Sequence, residues 1–211
     1  VTDLQDNGGG PDYGSVANFT DYWRQRSELT SFPLIDTSSG TNFSNTWYNC
    51  SSLTSFPLID TSSGTNFSAA WYNCSSLTSF PLIDTSAGTG FSAAWLGCSS
   101  LTSFPLIDIS AGTNFSNTWF GCSSLTSFPA NFFDGCAATQ FGNAFLNTNL
   151  NQTSIDNILV SIESNNNNNG TFTQLGGSAP SSTGEAAVTA LRSRGWTVTV
   201  TEASEVEFSE I

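Results

Sequence analysis

The chain has 211 residues, four basic side chains against 17 acidic ones, no His, and a formal net charge of −13 at pH 7. Because nucleic-acid affinity comes largely from Lys and Arg, this balance argues against nucleic-acid and anionic-membrane partners. No apolar run approaches the roughly 20 residues that cross a bilayer, so we expect no membrane insertion. Charged residues make up only 10% of the chain, which predicts a neutral, hydroxyl-rich surface.

Residues 1–17 form a polar, Gly-rich N-terminal segment. From residue 18 on, four residue types recur with a step of 24 residues and stay in phase with one another. The recurring positions are Trp23, Trp47, Trp71, Trp95 and Trp119, then Leu29, Leu53, Leu77, Leu101 and Leu125, then Cys50, Cys74, Cys98 and Cys122, and finally Pro33, Pro57, Pro81, Pro105 and Pro129. Such self-similarity predicts a stack of repeat units over residues 18–150.

Each unit begins with a segment that has a helical spacing of apolar residues. In the unit from Thr41 to Gly64, Phe43, Trp47 and Cys50 fall at i, i+4 and i+7. This spacing predicts a short helix with all three side chains on its buried face.

The second half of the unit resembles a short strand. Leu53, Phe56 and Leu58 have the spacing that points three apolar side chains inward from a strand and its approach. Pro57 is tolerated there only at an irregular point, because proline lacks the N–H that a sheet needs. The Asp-Thr-Ser-Ser-Gly sequence that follows predicts a turn.

A single unit cannot bury its apolar side, so neighbouring units must stack, with their strands about 4.8 Å apart in a parallel sheet. Like residues then form ladders through the interior. The sequence therefore predicts an α/β solenoid, a leucine-rich-repeat-like right-handed stack of 24-residue coils, each made of a short helix, a turn and a short parallel strand.

Beyond the repeats the pattern changes to that of a small α/β cap over residues 151–201. In the last coil the register slips by two residues, and Phe141 and Phe145 take the places of the Phe and Trp. Amphipathic periods and capping residues then predict two helices and two strands. The predicted elements are a helix at 153–164, a strand at 171–175, a helix from about 183 to 194 and a strand at 196–201. Residues 202–211 carry four Glu and are predicted to form an acidic tail or, alternatively, an extra edge strand.

The repeats are similar to a known family. The segments AAWYNCSSLTSFP, from Ala69 to Pro81, and AAWLGCSSLTSFP, from Ala93 to Pro105, resemble the A-F-x-G-C-x-x-L-x-x-I-x-I-P signature of BspA-type leucine-rich repeats and of the related short-repeat family DUF285. The resemblance covers residues 18–145 and departs from the family pattern in its Trp and in its inserted DTSSGT. It implies a leucine-rich-repeat fold and a place in bacterial surface proteins or in structural or tail-associated proteins of bacteriophages.

The cysteine ladder permits two interpretations. One Cys per coil at identical phase is typical of a small buried residue, as the resemblance also implies. A metal or disulfide site is the alternative, but no Cys-x-x-Cys pair and no His are present to complete a zinc site. We therefore expect core cysteines and no cofactor.

A second ladder consists of one carboxylate in every coil. Its members are Asp36, Asp60, Asp84 and Asp108. The Asp-Thr-Ser sequence favours an Asx-turn, in which backbone N–H groups neutralise each carboxylate, over a row of calcium sites. A paired-carboxylate hydrolase is a more remote alternative, because equivalent positions do not supply the two different environments of a general acid and a general base.

Two sets of side chains form the candidate contact stripe. The residue after each Trp falls on the flank of the predicted helix, and the residues after each repeated Leu face outward from the predicted sheet. The positions are Tyr48, Tyr72, Leu96 and Phe120, with the hydroxyl residues Thr54, Ser55, Thr78, Ser79, Thr102 and Ser103. The first set either packs over the next coil or offers a strip for glycan stacking or side-by-side assembly.

The sequence thus favours a surface-exposed structural or recognition module on a cell or virion exterior, binding protein or glycan partners or further copies of itself. An ice- or surface-binding solenoid is the alternative that the Thr and Ser rows suggest. Because no nucleophile elbow, phosphate loop or Ser/His/Asp set is present, we do not expect an enzyme.

Overall fold

The computed structural model describes residues 13–203. Most of the predicted N-terminal segment, and the acidic tail from residue 204 on, lie outside the described residues. The described part begins with a short 3-10 helix at Tyr13–Ser15. It contains two α-helices and three short parallel strands, an α/β combination. The first strand belongs to the last coil, and the other elements follow it.

Parallel backbone bridges join each repeat unit to the next. One row of bridges runs at the same position of every unit, and a second row pairs Ser31 with Ser55 and Ser103 with Ser127. The first row consists of Asn18–Asn42, Asn42–Asn66, Asn66–Gly90, Gly90–Asn114 and Asn114–Gln140. Units 24 residues apart therefore lie directly beside one another, but they pair through single residues, where the sequence predicted short strands.

The predicted helix in each unit is wrong, because residues 43–50 form consecutive turns. The N–H of Thr46 donates to the carbonyl of Phe43 at 3.2 Å. The N–H groups of Asn45 and Trp47 instead donate to carbonyls of the following unit, at 3.0 and 2.8 Å. An α-helix satisfies its N–H groups internally at i−4, whereas here alternate N–H groups leave the unit.

The left-handed residues explain these turns. Two positions per unit have positive φ, for example Asn45 at 55° and Asn49 at 59°. Asn and Gly tolerate this conformation better than other residues, and they occupy most of these positions. The set in the repeats is Asp21, Gln25, Asn45, Asn49, Ala69, Asn73, Ala93, Gly97, Asn117 and Gly121. The apolar residues predicted to lie on one helix face, Phe43, Trp47 and Cys50, are nevertheless all fully buried.

The predicted inward direction of Leu58 is also wrong. The N–H of Ile59 donates to the carbonyl of Pro57 at 3.0 Å, which closes a three-residue turn around Leu58. The leucine at the apex of this turn is exposed, while Ile59 is buried beside Phe56.

Stacked aromatic rings fill the core of the repeats. The indole centroids of Trp47 and Trp71 lie 5.2 Å apart, and those of Trp71 and Trp95 lie 5.3 Å apart, with nearly parallel planes. The Phe56 ring stands edge-to-face against both Trp47 and Trp71, at 4.7 and 5.3 Å. Offset stacks and edge-to-face contacts are the favoured aromatic geometries and add about 0.5–1.5 kcal/mol per pair to the burial of the rings.

The C-terminal part continues this packing with regular elements. Strand β1 is Gln140–Phe141, β2 is Thr171–Thr173 and β3 is Thr197–Thr199, parallel and in the order β1-β2-β3. Helices α1, Gln152–Ser164, and α2, Ser182–Ser193, pack against each other. The predicted small α/β arrangement is confirmed in these elements.

The predicted slip of the last coil is visible in the ring contacts. Phe141 stacks on Phe115 at 5.4 Å, and Phe145 stacks on Trp119 at 5.0 Å, each 26 residues along the chain. Strand β1 thereby extends the first row of bridges into the sheet. Among residues 13–203, no helix is both long enough and apolar enough to cross a bilayer.

We predict that Ala93→Gly stabilises the protein by about 1 kcal/mol. Ala93 has a φ of 56°, and this conformation costs an L-residue with a Cβ roughly 1–2 kcal/mol that glycine does not pay. The neighbouring Ala94 is fully buried with ordinary φ, so Ala94→Gly should lower the free energy of unfolding instead. Urea denaturation of both variants measures this, and destabilisation by Ala93→Gly would contradict the left-handed turn.

Candidate functional site

One surface of the repeats presents a row of exposed leucines, which we call the leucine row. Its members are Leu34, Leu58, Leu82 and Leu106, with 74, 63, 64 and 55% of their surface exposed. Sequence reasoning missed this row because the L-x-x-L-x-L spacing assigned these leucines to the core. The Pro-Leu-Ile sequence could have indicated the correct orientation. A tight turn that begins at the proline exposes the leucine and buries the isoleucine that follows it.

A row of carboxylates, the aspartate row, lies two residues along each unit from the leucine row. It consists of Asp36, Asp60, Asp84 and Asp108, all exposed. Asp60 Oδ1 accepts hydrogen bonds from the Ser62 N–H at 3.0 Å and from the Ser62 hydroxyl at 2.7 Å. This is the Asx-turn arrangement, and the other three members accept the same backbone bond.

At two members of the aspartate row, these hydrogen bonds favour the ionised carboxylate. The Ser38 N–H, and to a lesser degree its hydroxyl, lower the pKa of Asp36. The hydroxyl of Ser86 and then its N–H lower the pKa of Asp84. Hydrogen bonds to the charged form favour ionisation, so these two carboxylates carry negative charge at neutral pH.

The geometry of the aspartate row bears on the calcium and hydrolase alternatives. Within residues 13–203, no three or more His, Cys, Asp or Glu side chains converge as a metal ion would require. Each carboxylate instead bonds to the serine two residues further on, in surroundings repeated from one unit to the next. The row therefore provides three carboxylates in like surroundings, Asp36, Asp60 and Asp84, and a fourth, Asp108, that also lines a cleft at the end of the row.

The aromatic part of the candidate contact stripe is half-buried along the flank of the stack. Tyr48 and Tyr72 stack with ring centroids 4.3 Å apart, and the Arg24 guanidinium lies 4.8 Å from the Tyr48 ring centroid. Leu96 and Phe120 continue the row and are also half-buried. Burial, with a contribution from Tyr48, raises the pKa of Tyr72.

The hydroxyl part of the stripe is exposed but already hydrogen-bonded. All six of its residues are exposed: Thr54, Ser55, Thr78, Ser79, Thr102 and Ser103. The Thr54 hydroxyl donates to the carbonyl of Thr30 at 3.1 Å, and the Thr78 hydroxyl donates to the carbonyl of Thr54 at 3.4 Å. These bonds fix the threonine side chains in a regular array.

The cysteines are buried and free, as core residues. The Cys74 thiol donates to the carbonyl of Trp47 at 3.2 Å, and Cys98 does the same to Trp71. Burial raises the pKa of Cys50 to about 11 and that of Cys122 to about 12. Thiols of this kind are protonated and poorly nucleophilic at neutral pH.

A small cleft of about 230 Å³ lies at the C-terminal end of the leucine row. It is lined by Leu106, Asp108, Phe132 and Asp134, among others. The cleft exists because the next unit has Ala-Asn after its proline in place of Leu-Ile. The rows therefore end in a pocket with two carboxylates and an aromatic ring.

Comparison of the chain with protein-family models, curated proteins and solved structures finds no match. The exposed features of the repeats are the leucine row, the aspartate row, the tyrosine stack and the hydroxyl rows.

We predict that substitution by alanine affects stability very differently at two adjacent residues. Leu82 projects into solvent and Ile83 is buried, so Leu82→Ala should change the free energy of unfolding by less than about 0.5 kcal/mol, whereas Ile83→Ala should lower it by about 2–5 kcal/mol. Urea denaturation of the two variants makes the comparison. A large loss of unfolding free energy in Leu82→Ala, with none in Ile83→Ala, would show that the leucine points inward, as the sequence predicted.

The Cys122 thiol should make the protein sensitive to alkali. Its unfolded-state pKa is about 9.0 and its folded pKa about 12. Between pH 9 and 12 the unfolded state therefore binds fewer protons, and stability falls by about 1.4 kcal/mol per pH unit for this thiol.

Unfolding free energies of the wild type and of Cys122→Ala, measured from pH 8 to 11, test this effect. The variant should be less stable at pH 8 but should lose stability less steeply above pH 9. Ser123→Ala, at the exposed neighbour, serves as the control and should keep the wild-type slope. Equal slopes in Cys122→Ala and the wild type would exclude a buried, titrating thiol.

Proposed function

We propose that the chain is a structural or recognition module of a cell or virion exterior, which contacts protein or glycan partners, or further copies of itself, through the faces of its repeats. The proposed architecture is an α/β solenoid, a right-handed leucine-rich-repeat-like stack related to BspA-type repeats, closed by the C-terminal cap. On this proposal the protein is not an enzyme.

The observation that carries the proposal is the repetition of like side chains on the outside of the stack. Units joined by parallel bridges lie about 4.8 Å apart, so each exposed row is a series of equal groups at equal intervals. Packing in the core explains why the buried residues are repeated. It does not explain why the exposed leucines are repeated, and exposed apolar patches commonly mark interaction sites.

The proposed partners follow from the chemistry of the rows. The leucine and aspartate rows offer apolar contact next to charge, which suits a protein surface. The Tyr48–Tyr72 stack, with Arg24 over one ring, offers flat aromatic faces and hydroxyl groups, which suit a sugar ring. Neither requires a cofactor.

Lattice binding, as in an ice-binding protein, is the second candidate. It is favoured by the threonine rows, because the hydroxyl bonds from Thr54 to Thr30 and from Thr78 to Thr54 hold the side chains in a regular array. The same bonds occupy the hydroxyl protons, so the array presents oxygen lone pairs and methyl groups.

Binding assays on the purified chain test the proposal. We expect saturable binding to glycans, to cell or virion components, or reversible self-association in sedimentation. We also expect a single-row variant, Leu82→Ser, Tyr72→Ala or Thr78→Val, to weaken that binding at least tenfold while leaving the circular dichroism spectrum unchanged. Thermal hysteresis that only Thr78→Val abolishes would favour the second candidate. A folded chain that shows none of these activities would refute the proposal.

A further inference from the structure

The leucine row does not stand alone on its surface. Half-buried prolines border it on one side, one residue before each leucine, and the aspartate row borders it on the other. We call the leucine row, the aspartate row and these prolines the docking strip. The prolines are Pro33, Pro57, Pro81 and Pro105. The inference that follows rests on the proposed recognition function and concerns the partner of this strip.

The charge of the strip has one sign. From residue 29 to residue 133, the four aspartates of the aspartate row are the only charged residues in the sequence. Pairing this strip with the same strip of a second copy would gather eight carboxylates and no cation in one interface, and like charges in an interface oppose binding. The strip is therefore complementary to a cationic partner.

The spacing of the strip matches one regular element. The phenylalanines two residues before the leucines stack with ring centroids 5.7 to 5.9 Å apart from one unit to the next. The four leucines therefore extend over roughly 17 Å between the first and the last. An α-helix advances about 5.4 Å per turn, so roughly 11 or 12 residues of helix cover this distance. One apolar side chain per turn lies close to one leucine, and the accumulated mismatch of roughly 1 Å is within the reach of side chains.

The cleft at the end of the strip fits the same partner. Leu106 and Phe132 supply apolar walls, and Asp108 and Asp134 supply two carboxylates. Asp134 Oδ1 is held by the Ser161 hydroxyl at 2.5 Å, which fixes its position. A Lys or Arg beside the apolar stripe of a helix can bring its charge to these carboxylates while its methylene stem packs on Leu106.

We propose that the docking strip binds a cationic amphipathic α-helix of a partner protein. The apolar stripe of the helix lies along the leucine row, and its basic flank faces the aspartate row.

The test uses an 18-residue peptide of Leu and Lys, with Leu at positions i, i+3, i+4 and i+7, as the probe. Two control peptides accompany it: a scrambled sequence of the same composition, and the same pattern with Glu in place of Lys. Fluorescence anisotropy with the full chain should show binding of the patterned cationic peptide, at least tenfold weaker binding of both controls, and a loss of affinity as salt is raised.

Variants of the strip locate the binding. Leu58→Ser/Leu82→Ser and Asp60→Asn/Asp84→Asn should each weaken binding of the cationic peptide at least tenfold, because they remove the apolar and the charged component separately. Thr54→Ser/Thr78→Ser, on a different row, should leave the affinity unchanged. Circular dichroism verifies that all three pairs remain folded.

Two results would overturn the inference. The first is equal affinity for the scrambled peptide, or full affinity in the leucine pair, since both indicate unspecific attraction to an acidic chain. The second is a dimer of the free chain that Leu58→Ser/Leu82→Ser dissociates, which would assign the strip to a second copy. Partner or glycan binding that is lost only in Tyr72→Ala would sustain the proposed function while refuting this use of the strip.

Discussion

The structure depends on hydrogen bonds that leave one repeat unit and enter the next. The N–H groups of Phe43, Asn45, Trp47 and Asn49 donate to carbonyls of the following unit at 2.8 to 3.0 Å. Since these donors alternate along the chain, every unit must adopt the backbone path of its neighbour. The aromatic ladders follow from this constraint, because like positions are forced into register.

The register has an energetic cost as well as a gain. The indole N–H groups of Trp47, Trp71, Trp95 and Trp119 are buried without a hydrogen-bond partner. Each such group costs about 1–3 kcal/mol. Ring stacking and the burial of whole indole and phenyl groups offset this cost, so the interior depends on aromatic packing more than on polar pairing. The outward rows arise from the same register, which copies every exposed residue along with every buried one.

The sequence was sufficient to predict the period, most of the core, the two C-terminal helices and two of the three strands, because each of these depends on the pattern of apolar residues. It was insufficient for the path of the chain within a unit. Phe43, Trp47 and Cys50 are spaced as in a helix, but left-handed residues such as Asn45 and Asn49 produce the same inward spacing by successive turns. The positive φ values that distinguish the two paths are not visible in an apolar pattern.

The exposed surface was harder to predict than the core. Leu58 and Ile59 are adjacent aliphatic residues, and the L-x-x-L-x-L spacing assigned the wrong one to the interior. The hydrogen bond from the Ile59 N–H to the Pro57 carbonyl closes a tight turn around Leu58. This turn leaves Leu58 exposed and Ile59 buried. The cleft beside Leu106 was also not predicted. It forms because the next unit has Ala-Asn where the other units have Leu-Ile.

The near-identity of the interior units has an evolutionary consequence. A unit that bonds to its neighbours only through equivalent positions can be duplicated or deleted as a block, because the new junctions are the same as the old ones. Each duplication adds one leucine and one carboxylate to the surface. The length of each exposed row, and on the proposed function the avidity for an elongated ligand, is then set by copy number and not by residue-by-residue selection.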